Sequence, residues 1–431
     1  MKKKVITGLL TIILTVGCLT SGGGKDVAAA GKGEDKVVLT YWGWDSNFYE
    51  PLFEAFSKEH PNVEFEVTSV AAVDYATKMQ QSIAAGTELP DILASESNYR
   101  GQQLAMDVWE DLTQDPYNLT EDMFFESSVN VTKNQDGKIV CLDQTVSPAA
   151  MAYKRDLALK YLGTDDPEEL AELCSDVDSA CELAKKVQKE SDGEVFLFPT
   201  VQDVMEWVRG TNPVTLKNEN GELDFTAKYK TVLEEITKLR DAGAIDVLEQ
   251  GSPQANAAYA GSNHILFPAA SWSMSYSIKP NDPDGSGNWG FFAPGGTGYS
   301  WGGTAIGINK DSKNKEMAWE FLKFALMEDT GIKVLKESAG YYTSYKKPYE
   351  DPSFASYKDE YFGGQDVGDF FYNQVLPGVK TATVTEYDSV AFEVLMLELK
   401  NLMADGSMTA EQVYEDALVE MQNRLPDETI V

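Results

Sequence analysis

Eight tryptophans and 69 acidic residues, set against only two histidines, bound the chemistry open to this 431-residue chain. His60 and His264 lie far apart in sequence, which argues against His-rich zinc sites and Ser-His-Asp catalysis. A carboxylate hydrolase stays open, although no recognisable paired-carboxylate motif stands out. Aromatic rings and carboxylates are the side chains that a solute with both apolar and hydroxyl surfaces would use, and a pyranose is one example. The C–H face of a pyranose is apolar and lies flat on an indole or phenol ring. Its hydroxyls need fixed acceptors and donors, because an unpaired buried polar group costs ~1–3 kcal/mol. Tryptophan and tyrosine also lose little conformational entropy on binding.

Trp109 in MDVWEDL, Trp289 in NWGFFAP and Trp319 in AWEFLKF sit on apolar stripes and read as core. Trp42 ends a strand and has no assigned direction. Trp44 and Asp45 follow the Gly43 turn at the C-terminal end of the first strand, where open α/β sheets bind ligands. They are expected in a cleft, with loop packing as the alternative. Glu96 in LASESNYRG follows a strand end and reads as a ligand hydrogen-bonder or as a helix N-terminal charge.

The elements that must position these residues follow from periodicity. KVVLTYWGWD is a β-branched run ending in a glycine turn, and Phe48, Leu52, Phe53 and Phe56 recur at helical spacing. VEFEVTSV alternates as a strand, DYATKMQQSIAAG is amphipathic, and LPDILASES begins a third strand. Strand and helix alternate in this way through the body of the chain, which predicts an α/β protein with mostly parallel sheets. The second half adds strands over residues 149–155, 263–268, 289–294 and 304–309, and helices over 167–189, 226–242, 313–327, 389–403 and 409–422.

Apolar residues make up 43% of the chain, enough for sizeable cores, and the formal net charge is −33. Such a surface repels nucleic acid, and solubility alone accounts for the acidity. Nothing in the residues calls for a cofactor or a metal.

The N-terminus reads as an address. Three lysines precede VITGLLTIILTVG, too short to span a bilayer comfortably but suited to a signal-peptide h-region. Cys18 follows directly, then a Gly-rich stretch to Lys36. This resembles a bacterial lipoprotein signal, with residues 1–17 removed, Cys18 as lipid anchor and 18–36 as flexible tether. Leu14 stands one place before the usual leucine of that motif. Among the remaining cysteines, a Cys174–Cys181 disulfide suits an extracellular chain. On one unbroken helix their Cα atoms would lie ~10.5 Å apart, so the bridge needs a helix break near Ser175–Asp178.

Five segments, in order, carry a further resemblance: LTYWGWD; SKEHPNVEFEV with AAGTELPDIL; CLDQTVSPAAMAYKRDLALKYLG; AYAGSNHILFPAASWSM; and WGGTAIGINKDSKNKEMAWEFLKF. Together they resemble the carbohydrate-type extracellular solute-binding proteins of ABC importers, the family that includes maltose-binding protein. The resemblance implies two α/β lobes of the periplasmic-binding-protein fold, joined by crossing strands around a solute cleft. The first lobe would hold residues 37–147 and 304–342, the second 148–303 and 343–431. Crossings would lie near 147–152, 296–303 and 342–345, where glycines including Gly303 suit a flexing segment or a close approach to ligand. Hinge closure around ligand is the usual motion of the class.

By the same resemblance, Trp272 in PAASWSM falls where an aromatic stacks on sugar, and Trp301 lies at a crossing. Trp207 falls where relatives place cleft residues, although its helical setting also suits a core. Asp143 and Gln144 precede the first crossing, and Tyr387 falls near a late aromatic of some relatives. The implied function is non-catalytic: a monomeric lipoprotein on the extracellular face of the membrane (periplasmic in a Gram-negative source) that passes a sugar or oligosaccharide to an ABC permease. The alternatives are a non-sugar solute, such as a peptide, polyamine or metal complex, and a secreted glycoside hydrolase.

Overall fold

The computed structural model describes residues 36–431, so the leader, Cys18 and the tether lie outside the described residues. Two mixed sheets, each built on the same plan, organise this body. In the first, β1 (Val37–Gly43) pairs in parallel with β2 (Val63–Ser69) on one side and β3 (Ile92–Glu96) on the other. Leu39 and Tyr41 of β1 point into the core, and Ile92, Leu93 and Ala94 of β3 are buried outright, the pattern of a strand covered on both faces. β4 (Cys141–Asp143) closes the far edge. The helix Ser46–Glu59 buries Phe48, Leu52, Phe53 and Phe56, and Phe53 stacks on Phe65 at 3.7 Å.

The second sheet is centred on β5 (Pro148–Lys154), whose seven residues are all buried. Farther along come β6 (Phe198–Thr200), β7 (Ile245–Leu248), β8 (Leu266–Ala270), β9 (Trp289–Phe292) and β10 (Tyr299–Ser300). β6 and β7 pair in parallel, and the parallel Phe196–His264 bridge joins them to the β8 side. β5 pairs antiparallel with β8, β9 and β10. β11 (Thr304–Ile308) then returns to the first sheet, antiparallel between β3 and β4. Each sheet is therefore a parallel set interrupted by one reversed strand, and the two reversed strands, β5 and β11, directly follow the crossings between sheets.

The crossings are clipped to one another. Trp301 N donates to Ser147 O at 3.1 Å, Gln144 N to Thr304 O at 2.8 Å, and Val146 N to Tyr342 O at 2.8 Å. A further segment, 380–386, lies back against the first lobe. Thr381 Oγ1 donates to Ser127 O at 2.8 Å, and Val384 packs on the first-lobe core.

Two expectations change here. Asp176 caps the helix Val177–Glu190 by accepting from Ser179 N at 2.8 Å, so the break after Cys174 exists. Cys174 and Cys181 are nevertheless free, buried thiols, and burial pushes the Cys174 thiol up to about 12. A break brings two helices within reach, but a disulfide also needs closely paired Cβ atoms. Trp207 is core: it is 3% exposed and its ring lies 5.8 Å from that of Phe198. The helix Val201–Thr211 is buried on nearly every side up to Val208, which leaves that indole no route to a cleft.

Candidate functional site

A cavity of about 340 Å³ opens between the lobes at the end of β3, beside the β10–β11 crossing. Three elements build it. The Glu96–Asn98 turn comes from the first lobe, Trp301 and Gly302 from the crossing, and the start of helix Val201–Thr211 with Tyr259 and Trp272 from the second lobe.

Trp272 and Trp301 form one aromatic corner, with centroids 5.4 Å apart at 66°. Trp272 Nε1 donates to Trp301 O at 2.9 Å, which fixes one indole against the crossing. Gly302 lies beneath this pair at φ +78°, and a Cβ there would sit 3.3 Å from Trp272 Nε1. Glycine is the residue that meets both the left-handed backbone and the close approach. Both tryptophans are half-buried, packed on one side and open on the other.

Two carboxylates face these rings. Glu96 accepts from Ser97 Oγ and from Asn98 N, each at 2.9 Å, and burial raises its carboxyl above the ordinary value against those bonds and the nearby Arg100. Asp203 is buried and accepts from Thr200 Oγ1 at 2.7 Å and Gln250 Nε2 at 2.6 Å. Burial is the larger effect and pushes its carboxyl up to about 6. Carboxylates held by neutral donors, beside indole faces, present fixed acceptors for hydroxyl groups.

Among the sequence-derived candidates, the structure brings Glu96, Trp272 and Trp301 together. Gly303 adjoins them at φ +106°, its carbonyl accepting from Ser97 N at 3.1 Å and Arg100 Nη2 at 3.2 Å. The others lie elsewhere. Trp44 packs edge-on against Tyr75 at 5.3 Å. Asp45 accepts from the Tyr341 hydroxyl at 2.6 Å, and Tyr341 meets Tyr276 at 2.9 Å, which in turn accepts from Asn47 Nδ2 at 2.9 Å. This chain of contacts ties the first-lobe helix Ser46–Glu59 to the second lobe, so Asp45 serves the lobe contact and not the cavity wall.

Asp143 is buried in an ion pair with Arg100 at 3.0 Å, behind the crossings, and Gln144 is buried against the Tyr41 hydroxyl. Tyr387 donates to Glu428 at 2.5 Å and lies under Lys217, away from the cavity. Sequence reasoning missed Asp203, Tyr259 and Gln250. The one available signal was the Thr200–Asp203 spacing, which reads as a helix cap and is one: Asp203 N donates to Thr200 Oγ1 at 3.1 Å.

Among the described residues, no group of three or more His, Cys, Asp or Glu is placed to hold a metal ion, and no helix is long and apolar enough to cross a membrane.

Two α/β lobes joined by clipped crossings, with a solute-sized cavity between them, define a two-lobed binding protein. The chain belongs to the bacterial extracellular solute-binding protein family, whose profile matches residues 51–361. It is 24% identical over 364 residues to the arabinooligosaccharide-binding protein of Bacillus subtilis (strain 168), covering 79% of this chain and 80% of that one. It shares its fold with a solved extracellular solute-binding protein of family 1, at TM-score 0.80 and 21% identity over 90% of this chain and 99% of that one. A second solved relative is the galacto-N-biose-/lacto-N-biose I-binding protein of Bifidobacterium longum in complex with lacto-N-biose. It matches at TM-score 0.73 and 19% identity over 93% of this chain and all of the other.

Proposed function

We propose that this protein captures a sugar or oligosaccharide in the interlobe cavity and delivers it to an ABC permease, performing no chemistry on it. The observation that carries the reading is the Trp272–Trp301 corner facing Glu96 and Asp203 across about 340 Å³. Indole faces cover the apolar side of a sugar ring, and the carboxylates take its hydroxyl protons in hydrogen bonds. The name of the Bacillus relative and the ligand of the Bifidobacterium structure support a saccharide. The basic leader, the apolar stretch after it and Cys18 support export and lipid anchoring on the outer face of the membrane, with residues 18–36 as the tether. Solute touching both lobes favours the arrangement the permease recognises.

Tryptophan fluorescence titrated with a glycan panel tests the reading. Binding should change the emission of Trp272 and Trp301 and raise the melting temperature, with the glycan recovered intact. Cleaved glycan would move the assignment to a hydrolase, and silence to every glycan with a response to peptides would move it to another solute.

A further inference from the structure

A second cavity, of about 150 Å³, shares Ser97, Asn98 and Gly302 with the first. Their walls differ in sign. The larger cavity holds Glu96 and Asp203 and no cation. The smaller holds Arg100, Arg209, Lys228 and Lys380 against one carboxylate, Asp388. Acidic residues outnumber basic ones 69 to 36 in this chain, so four cations on one small wall run against its composition.

Part of that charge is already matched. Lys228 pairs with Asp388 at 3.0 Å, Arg209 with Glu206 at 2.5 Å, and Arg100 with Asp143 at 3.0 Å. Neither Glu206 nor Asp143 reaches the cavity wall. Three donors are left over. The Nε atoms of Arg100 and Arg209 are buried without an acceptor, and Arg100 as a whole is 2% exposed. Lys380 is exposed at the same cavity and pairs with no carboxylate among the described residues. Phe392 lies 5.4 Å beneath the Arg209 guanidinium and helps hold its plane. The surplus of cations over carboxylates on this wall, with Lys380 at its edge unpaired among the described residues, points to an anionic acceptor supplied by the solute. A guanidinium and an ammonium around one cavity recognise a carboxylate.

We infer that the smaller cavity is an acid subsite, and that the solute is a carboxylate-bearing saccharide, an oligosaccharide containing a uronic acid. This rests on the sugar-binding reading above. The neutral ring lies against Trp272 and Trp301, and the carboxylate enters between Arg209, Lys228 and Lys380. Glu96 and Asp203 repel a carboxylate from the larger cavity, so charge fixes the direction in which the chain lies.

The test uses the full chain and pairs of disaccharides that differ only in oxidation at C6, galacturonate against galactose and glucuronate against glucose. The matching 6-phosphate sugars form a third arm. Calorimetry is run at low and high salt on wild type and on Lys380→Gln, whose exposed side chain can be changed without disturbing a core. The acid member of at least one pair should bind about tenfold more tightly, and high salt should remove most of that margin. Lys380→Gln should weaken the acid about fivefold and leave the neutral sugar unchanged. A phosphate sugar that binds more tightly than both members of its pair would overturn the assignment to a carboxylate. Neutral members binding as tightly as acids, or equal losses for both in Lys380→Gln, would overturn the acid subsite and leave sugar binding intact. Silence to every saccharide would overturn both readings.

Discussion

The two cavities that meet at Gly302 draw opposite charges from one helix. Val201–Thr211 brings Asp203 to the larger cavity from its first turn and Arg209 to the smaller one from its last. Six residues of helix separate them by ~9 Å along the axis. The arrangement follows the helix dipole, which favours an acid near the N-terminus and a base near the C-terminus. Between these ends, Val204, Trp207 and Val208 bury the face that anchors the helix in the second lobe. The lesson is that one helix laid along a cleft, with its two ends at different cavities, adds an opposite charge to each.

The largest effect expected on this comparison comes from the aromatic corner. Trp272→Ala should weaken neutral-sugar binding by at least about 30-fold, roughly 2 kcal/mol, in the range of a buried aromatic anchor. Trp207→Phe should lower the melting temperature and leave affinity within about twofold, since Trp207 only packs. Calorimetry beside thermal melts separates the two, and equal affinity losses would show that core and cleft have been confused.

Asp203→Asn should weaken the same sugar about tenfold, since a carboxylate acceptor becomes a neutral amide. Its effect on stability has the opposite tendency. The Asp203 carboxyl lies near its ordinary value in the unfolded chain and at about 6 when folded. The folded state therefore binds the proton more tightly, and this group's contribution to stability is full below about pH 4 and is lost as pH rises through about 6. Urea unfolding from pH 4 to 8 should show that fall in wild type and a flatter profile in Asp203→Asn. Identical profiles would mean the carboxyl is not held as described.

Gly302→Ala strikes the ridge shared by both cavities. The left-handed backbone alone costs about 1–2 kcal/mol, and the new methyl presses on Trp272. Affinity for neutral and acidic sugars should fall together, by several-fold, with a melting temperature a few degrees lower. Tyr276→Phe should have a smaller effect still than Gly302→Ala. It removes the hydroxyl that joins Asn47 to Tyr341, and loss of that bridge should weaken every solute by about two- to threefold without a pH dependence. Affinities measured between pH 5 and 8 would check this.

Much of the fold was legible because helix and strand periods differ so plainly. The Phe48–Leu52–Phe53–Phe56 stripe and the continuous apolar run of β3 each allow one reading. The β5–β9 and β5–β10 pairings were not legible, since pairing across long separations leaves no local pattern. In the site, Trp272 and Trp301 were reached through the family resemblance and Glu96 through its place at a strand end, while their exposure shows only in the folded chain. Asp203 was hidden by doing two tasks: its backbone N–H takes part in the helix cap while its carboxylate faces the cavity. Asp143 misled for the converse reason, since its partner Arg100 is 43 positions away and only the folded chain shows the pair.

The exchange of β5 and β11 between sheets also sets the order in which the molecule can be completed. β3 and β4 leave the ribosome with a gap between them, and the strand that fills it is made only after most of the second lobe. Until β11 emerges, the first sheet has two unpaired edges and no closed core. That delay leaves the edges of β3 and β4 uncovered, where pairing with another chain would begin.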